Sequence, residues 1–83
     1  MATTTVAVTK NWTQVSTGSC IVQAKNSSVE FQVYIGSSAP AANTADWALT
    51  NIRQMTVFDL AQAVYLKIPA NQGDTSIDVT VLS

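Results

Sequence analysis

Apolar residues occupy every odd position of the segment Val29-Glu30-Phe31-Gln32-Val33-Tyr34-Ile35, and the even positions can face solvent or a partner. Successive side chains of a β-strand point to opposite faces of the sheet, so this spacing places all the odd-numbered side chains on one face. The segment therefore predicts a strand that turns one face towards a hydrophobic core.

The same alternation recurs along the chain. It is clear in residues 77–81 and 64–68, is present around residues 5–9, and is weaker in residues 20–25. Residues 54–60 can be interpreted as a strand or as a non-strand segment, but their Thr, Val and Phe content favours a strand. A further strand is predicted to begin at Trp12. No segment carries the apolar i, i+3, i+4, i+7 stripe of an amphipathic helix.

Turn-forming residues separate these segments. They lie at residues 17–19, 25–28 and 71–74, and Pro69 is predicted to end the strand before it because proline lacks a backbone donor. Residues 36–46 are predicted to form a long loop, with one helical turn over residues 44–48 as the alternative. The pattern predicts an all-β fold, a small antiparallel β-sandwich or barrel of six to eight short strands.

Length and charge restrict the functions that the chain can have. Its 83 residues predict a single domain over 1–83, and only 11% of them are charged, with a net charge of −1, against about 25% in a typical domain. Four scattered cations give no field for phosphate binding, so no nucleic acid is predicted as a partner. A charge-poor surface rich in Thr, Ser, Gln and Asn suits a protein that neighbouring chains cover.

Residue types argue against an enzyme. The chain has no His and a single Cys, which removes Ser-His-Asp, Cys-His and Cys-clustered zinc chemistry. We therefore predict no catalytic residue, no metal site and no cofactor. Cys20 is interpreted as a small buried hydrophobe. The four aspartates are interpreted as turn and surface acids; they are Asp46, Asp59, Asp74 and Asp78.

Nothing in the sequence predicts a membrane partner. No stretch approaches the roughly 18 consecutive apolar residues of a spanning helix, and the first residues lack the cationic and apolar regions of a secretory signal.

The two tryptophans are more informative, because exposed indoles on β-sandwiches can stack on sugar rings. Trp12 is interpreted as packing that plugs one end of the sandwich, whereas Trp47 fits packing and partner contact about equally.

The order of several short motifs resembles that of small β-sandwich proteins from tailed-bacteriophage virions, which serve as capsid decoration (cement) proteins, head fibres or tail components. The resemblance spans nearly the whole chain and rests on the layout of the segments Lys10-Asn-Trp-Thr-Gln-Val-Ser-Thr-Gly18, Val33-Tyr-Ile-Gly-Ser-Ser-Ala-Pro40, Trp47-Ala-Leu-Thr50, Val64-Tyr-Leu-Lys-Ile68 and Ser76-Ile-Asp-Val-Thr-Val81.

The resemblance implies a non-enzymatic virion protein that is present in many copies and made in the host cytoplasm. The leading hypothesis is that it binds the capsid exterior and stabilises the lattice. Its expected partners are the major capsid protein, or another virion protein, and further copies of itself, with a trimer as the implied oligomer. Partner contact is expected in the long loop, at Pro40, Asn43, Asp46 and Trp47. The alternative is a tail or fibre-tip module that binds a host receptor or glycan.

Overall fold

The computed structural model describes residues 2–83, which form eight β-strands and no helix. The strands are β1 (Thr3–Thr9), β2 (Thr13–Ser16), β3 (Cys20–Gln23), β4 (Glu30–Gly36), β5 (Ala48–Asn51), β6 (Thr56–Phe58), β7 (Ala63–Lys67) and β8 (Ser76–Leu82). The all-β prediction is therefore confirmed, at the upper end of the expected number of strands.

The strands form two four-stranded antiparallel sheets. Sheet A has the order β1-β8-β3-β6, and sheet B has the order β2-β7-β4-β5. Each sheet keeps two free edges, so the fold is a sandwich and not a closed barrel. The edge strands are β1 and β6 in sheet A, and β2 and β5 in sheet B.

The pairing of the strands is nested. The strand pairs β4–β5, β3–β6, β2–β7 and β1–β8 lie one inside the next, as in one long hairpin whose tip is the loop of residues 37–47. Two further pairs, β3–β8 and β4–β7, complete the sheets. An eight-stranded hairpin rolled into two sheets in this way has the jelly-roll topology.

The core lies between the two sheets and is built from the alternating residues of the sequence. Phe31 and Leu66 from sheet B, and Val22 and Val79 from sheet A, are fully buried. Val33 lies on the same face of β4 as Phe31 and packs against this core. The odd-numbered face of β4 is therefore the inner face, as predicted.

The predicted long loop is present at residues 37–47, and the alternative, a helical turn over residues 44–48, does not form. The hydroxyl oxygen of Thr44 accepts the backbone N–H of Asp46 at 3.2 Å, which closes a local turn without starting a helix. Strand β5 then begins at Ala48 and pairs with β4, with Ala48 opposite Val33. The sheet thereby satisfies backbone groups that an isolated helical turn would leave exposed.

The predicted turns are present, but the connections at residues 17–19 and 25–28 join strands of different sheets. The first leads from β2 to β3 and the second from β3 to β4. Strand β7 ends at Lys67, before Pro69, as expected. The backbone N–H of Ile68 donates to the carbonyl of Thr9 at 2.9 Å. This hydrogen bond attaches the segment that follows β7 to the end of β1.

Candidate interaction surfaces

The large hydrophobic side chains that are exposed among residues 2–83 all fall within residues 47–60. They are Trp47, Leu49, Met55, Val57 and Leu60, with exposed fractions from 40% to 64%. Strand β5 is the edge of sheet B, strand β6 is the edge of sheet A, and a short connection joins the two. We call these five side chains the apolar edge.

The apolar edge continues onto the outer face of sheet A. Val57 lies opposite Ile21 of β3, and Ile21 lies opposite Leu82 of β8, so the three side chains form one row across the sheet. Ile21 and Leu82 are half-buried, and the row borders a shallow recess of about 160 Å³. The exposed apolar surface is therefore contiguous over three strands, which is typical of an interaction surface.

Strand β6 also has a free backbone edge. It pairs only with β3, and its other side has no partner strand among residues 2–83. Unpaired N–H and C=O groups on an edge strand are a template for pairing with another chain. The strand is flanked by the exposed residues Arg53 and Asp59, and the Asp59 carboxylate accepts the Ser19 hydroxyl at 3.0 Å.

The four loop residues expected to contact a partner do not form one cluster. Asp46 and Trp47 are exposed and line a groove beside Tyr34, near the end of β4 that β5 does not cover. Pro40 is half-buried and lines a different recess, while Asn43 is exposed and borders neither. Of the four, only Trp47 belongs to the apolar edge.

Sequence reasoning missed the part of the apolar edge that β6 provides. The signal was the presence of apolar residues in both phases of residues 54–60, with Met55 and Val57 in one phase and Phe58 and Leu60 in the other. Phe58 packs against the core, whereas Met55 and Val57 are more than half exposed. A two-phase apolar pattern at a sheet edge indicates one buried face and one exposed apolar face.

Trp12 does not plug an end of the sandwich. It lies on the outer face of sheet B, with its ring centroid 6.0 Å from that of Tyr34, and Tyr34 lies 6.2 Å from Tyr65. Tyr34 and Tyr65 are paired neighbours on the face opposite to the core. The Nζ atom of Lys67 lies 5.5 Å from the Trp12 ring centroid, within cation–π range.

Trp12 borders a recess of about 200 Å³ between the β1–β2 connection and the long loop. Two ammonium groups line it and no acidic side chain does; the full lining is Lys10, Asn11, Trp12, Ala39, Pro40, Ala42 and Lys67. Lys10 donates to the Ala70 carbonyl at 3.4 Å, and Lys67 donates to the Ala42 carbonyl at 3.3 Å. The side chains of this recess are therefore rich in hydrogen-bond donors and carry positive charge.

The remaining candidate residues are ordinary in structure. Cys20 is buried in the core, as predicted, and its burial raises the pKa of the thiol, an effect that a hydrogen bond with Ser16 partly offsets. The four aspartates are exposed, as predicted. Across the described residues 2–83, no group of three or more His, Cys, Asp or Glu side chains is placed to hold a metal ion.

Comparison of the chain with protein-family models, curated proteins and solved structures gave no significant match. Residues 2–83 contain no helix with the length and apolar character needed to cross a membrane.

Proposed function

We propose that this chain is a non-enzymatic structural protein of a tailed-bacteriophage virion, which binds the capsid exterior and stabilises the lattice. The apolar edge is the observation that carries the proposal. The five large hydrophobic side chains that are exposed lie on or beside the consecutive edge strands β5 and β6 of a very small domain whose surface is poor in charge. Exposed apolar edges of this kind favour a protein that works while it is covered by neighbours.

Burial of this surface against another protein would favour docking. Burial of apolar area contributes about 25 cal/mol per Å², so each fully buried Leu, Met or Val side chain supplies about 1.5 to 3 kcal/mol. The side chains of the apolar edge are already partly buried, so the gain for each is smaller. Several copies bound across neighbouring capsid subunits would still add their contacts to those that hold the lattice.

The topology is compatible with this function without selecting it. Jelly rolls occur in viral capsid domains and also in lectin domains. A fold of this kind hosts unrelated functions, so the exposed side chains support the proposal and the fold does not.

The test is binding to capsids of the encoding phage that were assembled without this chain. We expect the purified protein to co-sediment with them, and Trp47→Ala and Leu49→Ala each to weaken binding about tenfold, which corresponds to 1.4 kcal/mol. Gln14→Ala is the matched control, because Gln14 is exposed on β2, the opposite edge of the same sheet.

Failure of the unmodified chain to co-sediment would overturn the proposal. Equal binding by the two edge variants and by the control would remove the apolar edge from it. Circular dichroism of each variant shows whether a loss of binding reflects a loss of folding.

The recess at Trp12 favours a second candidate function, glycan binding at a tail or fibre tip. Its aromatic wall and its two lysine ammonium groups, with no lining carboxylate, suit a sugar that carries a carboxylate. In Trp47→Phe protein, Trp12 is the only indole. Quenching of its fluorescence by galacturonate, with no effect of galactose, would support this function, and an unchanged spectrum would exclude it for these sugars.

A further inference from the structure

The free edge of β6 is self-complementary in charge and in apolar character. Met55, Val57 and Asp59 lie at alternate positions along and beside the strand, Arg53 lies in the bend that precedes it, and all four are exposed. A cation therefore stands at one end of the segment, an anion at the other, and two apolar side chains between them. In an antiparallel second copy the order of these side chains is reversed. The anion of one copy then lies at the same end as the cation of the other, and apolar side chains lie beside apolar side chains.

We propose that a second copy of this chain adds to β6 as an antiparallel neighbour, around a two-fold axis at Thr56. With the axis there, Met55 of each copy lies opposite Val57 of the other. The bend with Arg53 of each copy then comes to the end of the pairing at which Asp59 of the other copy lies, which brings together two equivalent pairs of opposite charge. Opposed apolar pairs and opposed opposite charges both stabilise antiparallel strands.

Neighbouring registers lack this match. An axis at Val57 would place Met55 opposite Asp59. An axis at Met55 would place Val57 of each copy against the bend of the other. Of these three axes, only the one at Thr56 pairs the exposed apolar side chains and also brings the opposite charges to the same ends, so it is the register that the edge favours.

The pairing gives a closed dimer with a continuous eight-stranded sheet. The two copies of β6 become adjacent central strands, and the rows that contain Val57, Ile21 and Leu82 meet across the axis. A two-fold contact uses the same patch on both copies, so it closes at two. The trimer that the resemblance implies would need a different, head-to-tail contact.

This inference specifies the self-association that belongs to the proposed function. The β5 part of the apolar edge, with Trp47 and Leu49, stays outside the paired strands. Capsid binding and dimer formation are therefore tested with different variants, and either is able to fail while the other stands.

A disulfide cross-link tests the register. Directly opposed residues of antiparallel strands have Cα atoms about 4.5 to 5.5 Å apart, within the range of about 4.4 to 6.8 Å that a disulfide bridges. Because Thr56 faces its own copy across the axis, Thr56→Cys should give a covalent dimer on a non-reducing gel after mild oxidation. Thr13→Cys is the matched control, a half-buried threonine on the edge strand β2.

Charge reversal tests the partner. Arg53→Asp brings two aspartates to each end of the pairing in its own dimer, and Asp59→Arg brings two arginines there. We expect each single variant to dimerise about two- to tenfold more weakly than the unmodified chain, the range for two exposed charge pairs. An equimolar mixture of the two variants restores both opposite-charge pairs, so a heterodimer should form preferentially.

Light scattering on a size-exclusion column, with one variant carrying an affinity tag, measures both effects. A heterodimer in the mixture also shows that each variant is folded. The proposal is overturned if the unmodified chain stays monomeric at high micromolar concentration. It is equally overturned if Thr56→Cys and Thr13→Cys cross-link to the same extent, or if the mixture associates no better than the single variants.

Discussion

At Cys20, burial of a single thiol makes stability depend on pH. Burial raises the pKa of this thiol in the folded state, so the folded protein holds the proton more tightly than the unfolded chain does. The stabilising effect is complete below the unfolded pKa of about 8.5, and it is lost as the pH rises through the higher folded pKa.

We therefore expect the free energy of unfolding of the unmodified chain to fall above about pH 8.5 relative to that of Cys20→Ala. Urea titrations of both proteins from neutral pH upwards measure the difference. Parallel curves for the two proteins would show that the folded thiol titrates as it does in the unfolded chain.

Two leucines give opposite expectations because only one of them lies in the core. Leu66 is fully buried, so Leu66→Ala should cost about 2 to 5 kcal/mol through lost burial and the cavity left behind. Leu49 is 52% exposed in the monomer, so Leu49→Ala should change stability by less than about 1 kcal/mol. Chemical denaturation of dilute protein measures both, and similar losses would contradict the assignment of the two faces of sheet B.

At the scale of a single element, β4 depends on a glycine at its end. A Cβ atom added at Gly36 would lie 2.8 Å from Cε1 of Tyr34, whose ring centroid lies 6.0 Å from that of Trp12 and 6.2 Å from that of Tyr65. Because these two aromatic neighbours limit how far the ring can move, we expect Gly36→Ala to cost about 1 to 3 kcal/mol, the usual range for overpacking.

Gly73→Ala is the matched control, since nothing lies within 4 Å of the added atom. We expect its unfolding free energy to stay within about 1 kcal/mol of the unmodified value. The effect at Gly36 should shrink in a Tyr34→Ala background, where the ring is gone. A full loss in that background would place the cause in the backbone and not in the ring.

The strands differ in how far the sequence predicts them. Alternation predicts β4, β7 and β8, because each turns every second residue towards the core and this spacing is visible in neighbouring residues. Alternation does not predict β5, because Ala and Asn are depleted in strands and none of the residues of β5 is buried. It is a strand because β4 pairs with it, and that partner lies across the long loop.

The residues of the candidate surfaces also differ in how far the sequence predicts them. Trp47 was identified because an indole in a loop stands out in the sequence. Exposure of Met55 and Val57, by contrast, depends on β6 being the outer strand of its sheet. Strand order is set by pairings between distant segments, so local sequence patterns do not predict which apolar strand stays uncovered.

At the scale of the whole molecule, the sandwich is thin, with extents of 33 × 28 × 16 Å. A small domain buries a smaller fraction of its surface than a large one and is correspondingly marginal in stability. Contacts with other chains, such as the proposed capsid contact and the proposed β6 dimer, would therefore add a large share of the total stability.

The outermost pair of the nested hairpin brings the two ends of the described chain together. The backbone N–H of Ala2 donates to the carbonyl of Ser83 at 2.6 Å, and the N–H of Ser83 donates to the carbonyl of Ala2 at 3.0 Å. A short peptide linker between these residues would close the backbone into a ring with little change to the fold. In the chain-entropy treatment of cross-links, closing a loop of this length stabilises the folded state by about 4 kcal/mol.

Cyclised protein, made by split-intein ligation, should therefore unfold at a higher urea concentration than the linear chain. Cutting that ring within residues 37–47 would create a circular permutant whose new termini lie at the tip of the hairpin. The permutant should fold and keep the β6 edge. It would also move both termini beside Trp47, so a cargo fused there would be displayed next to the apolar edge.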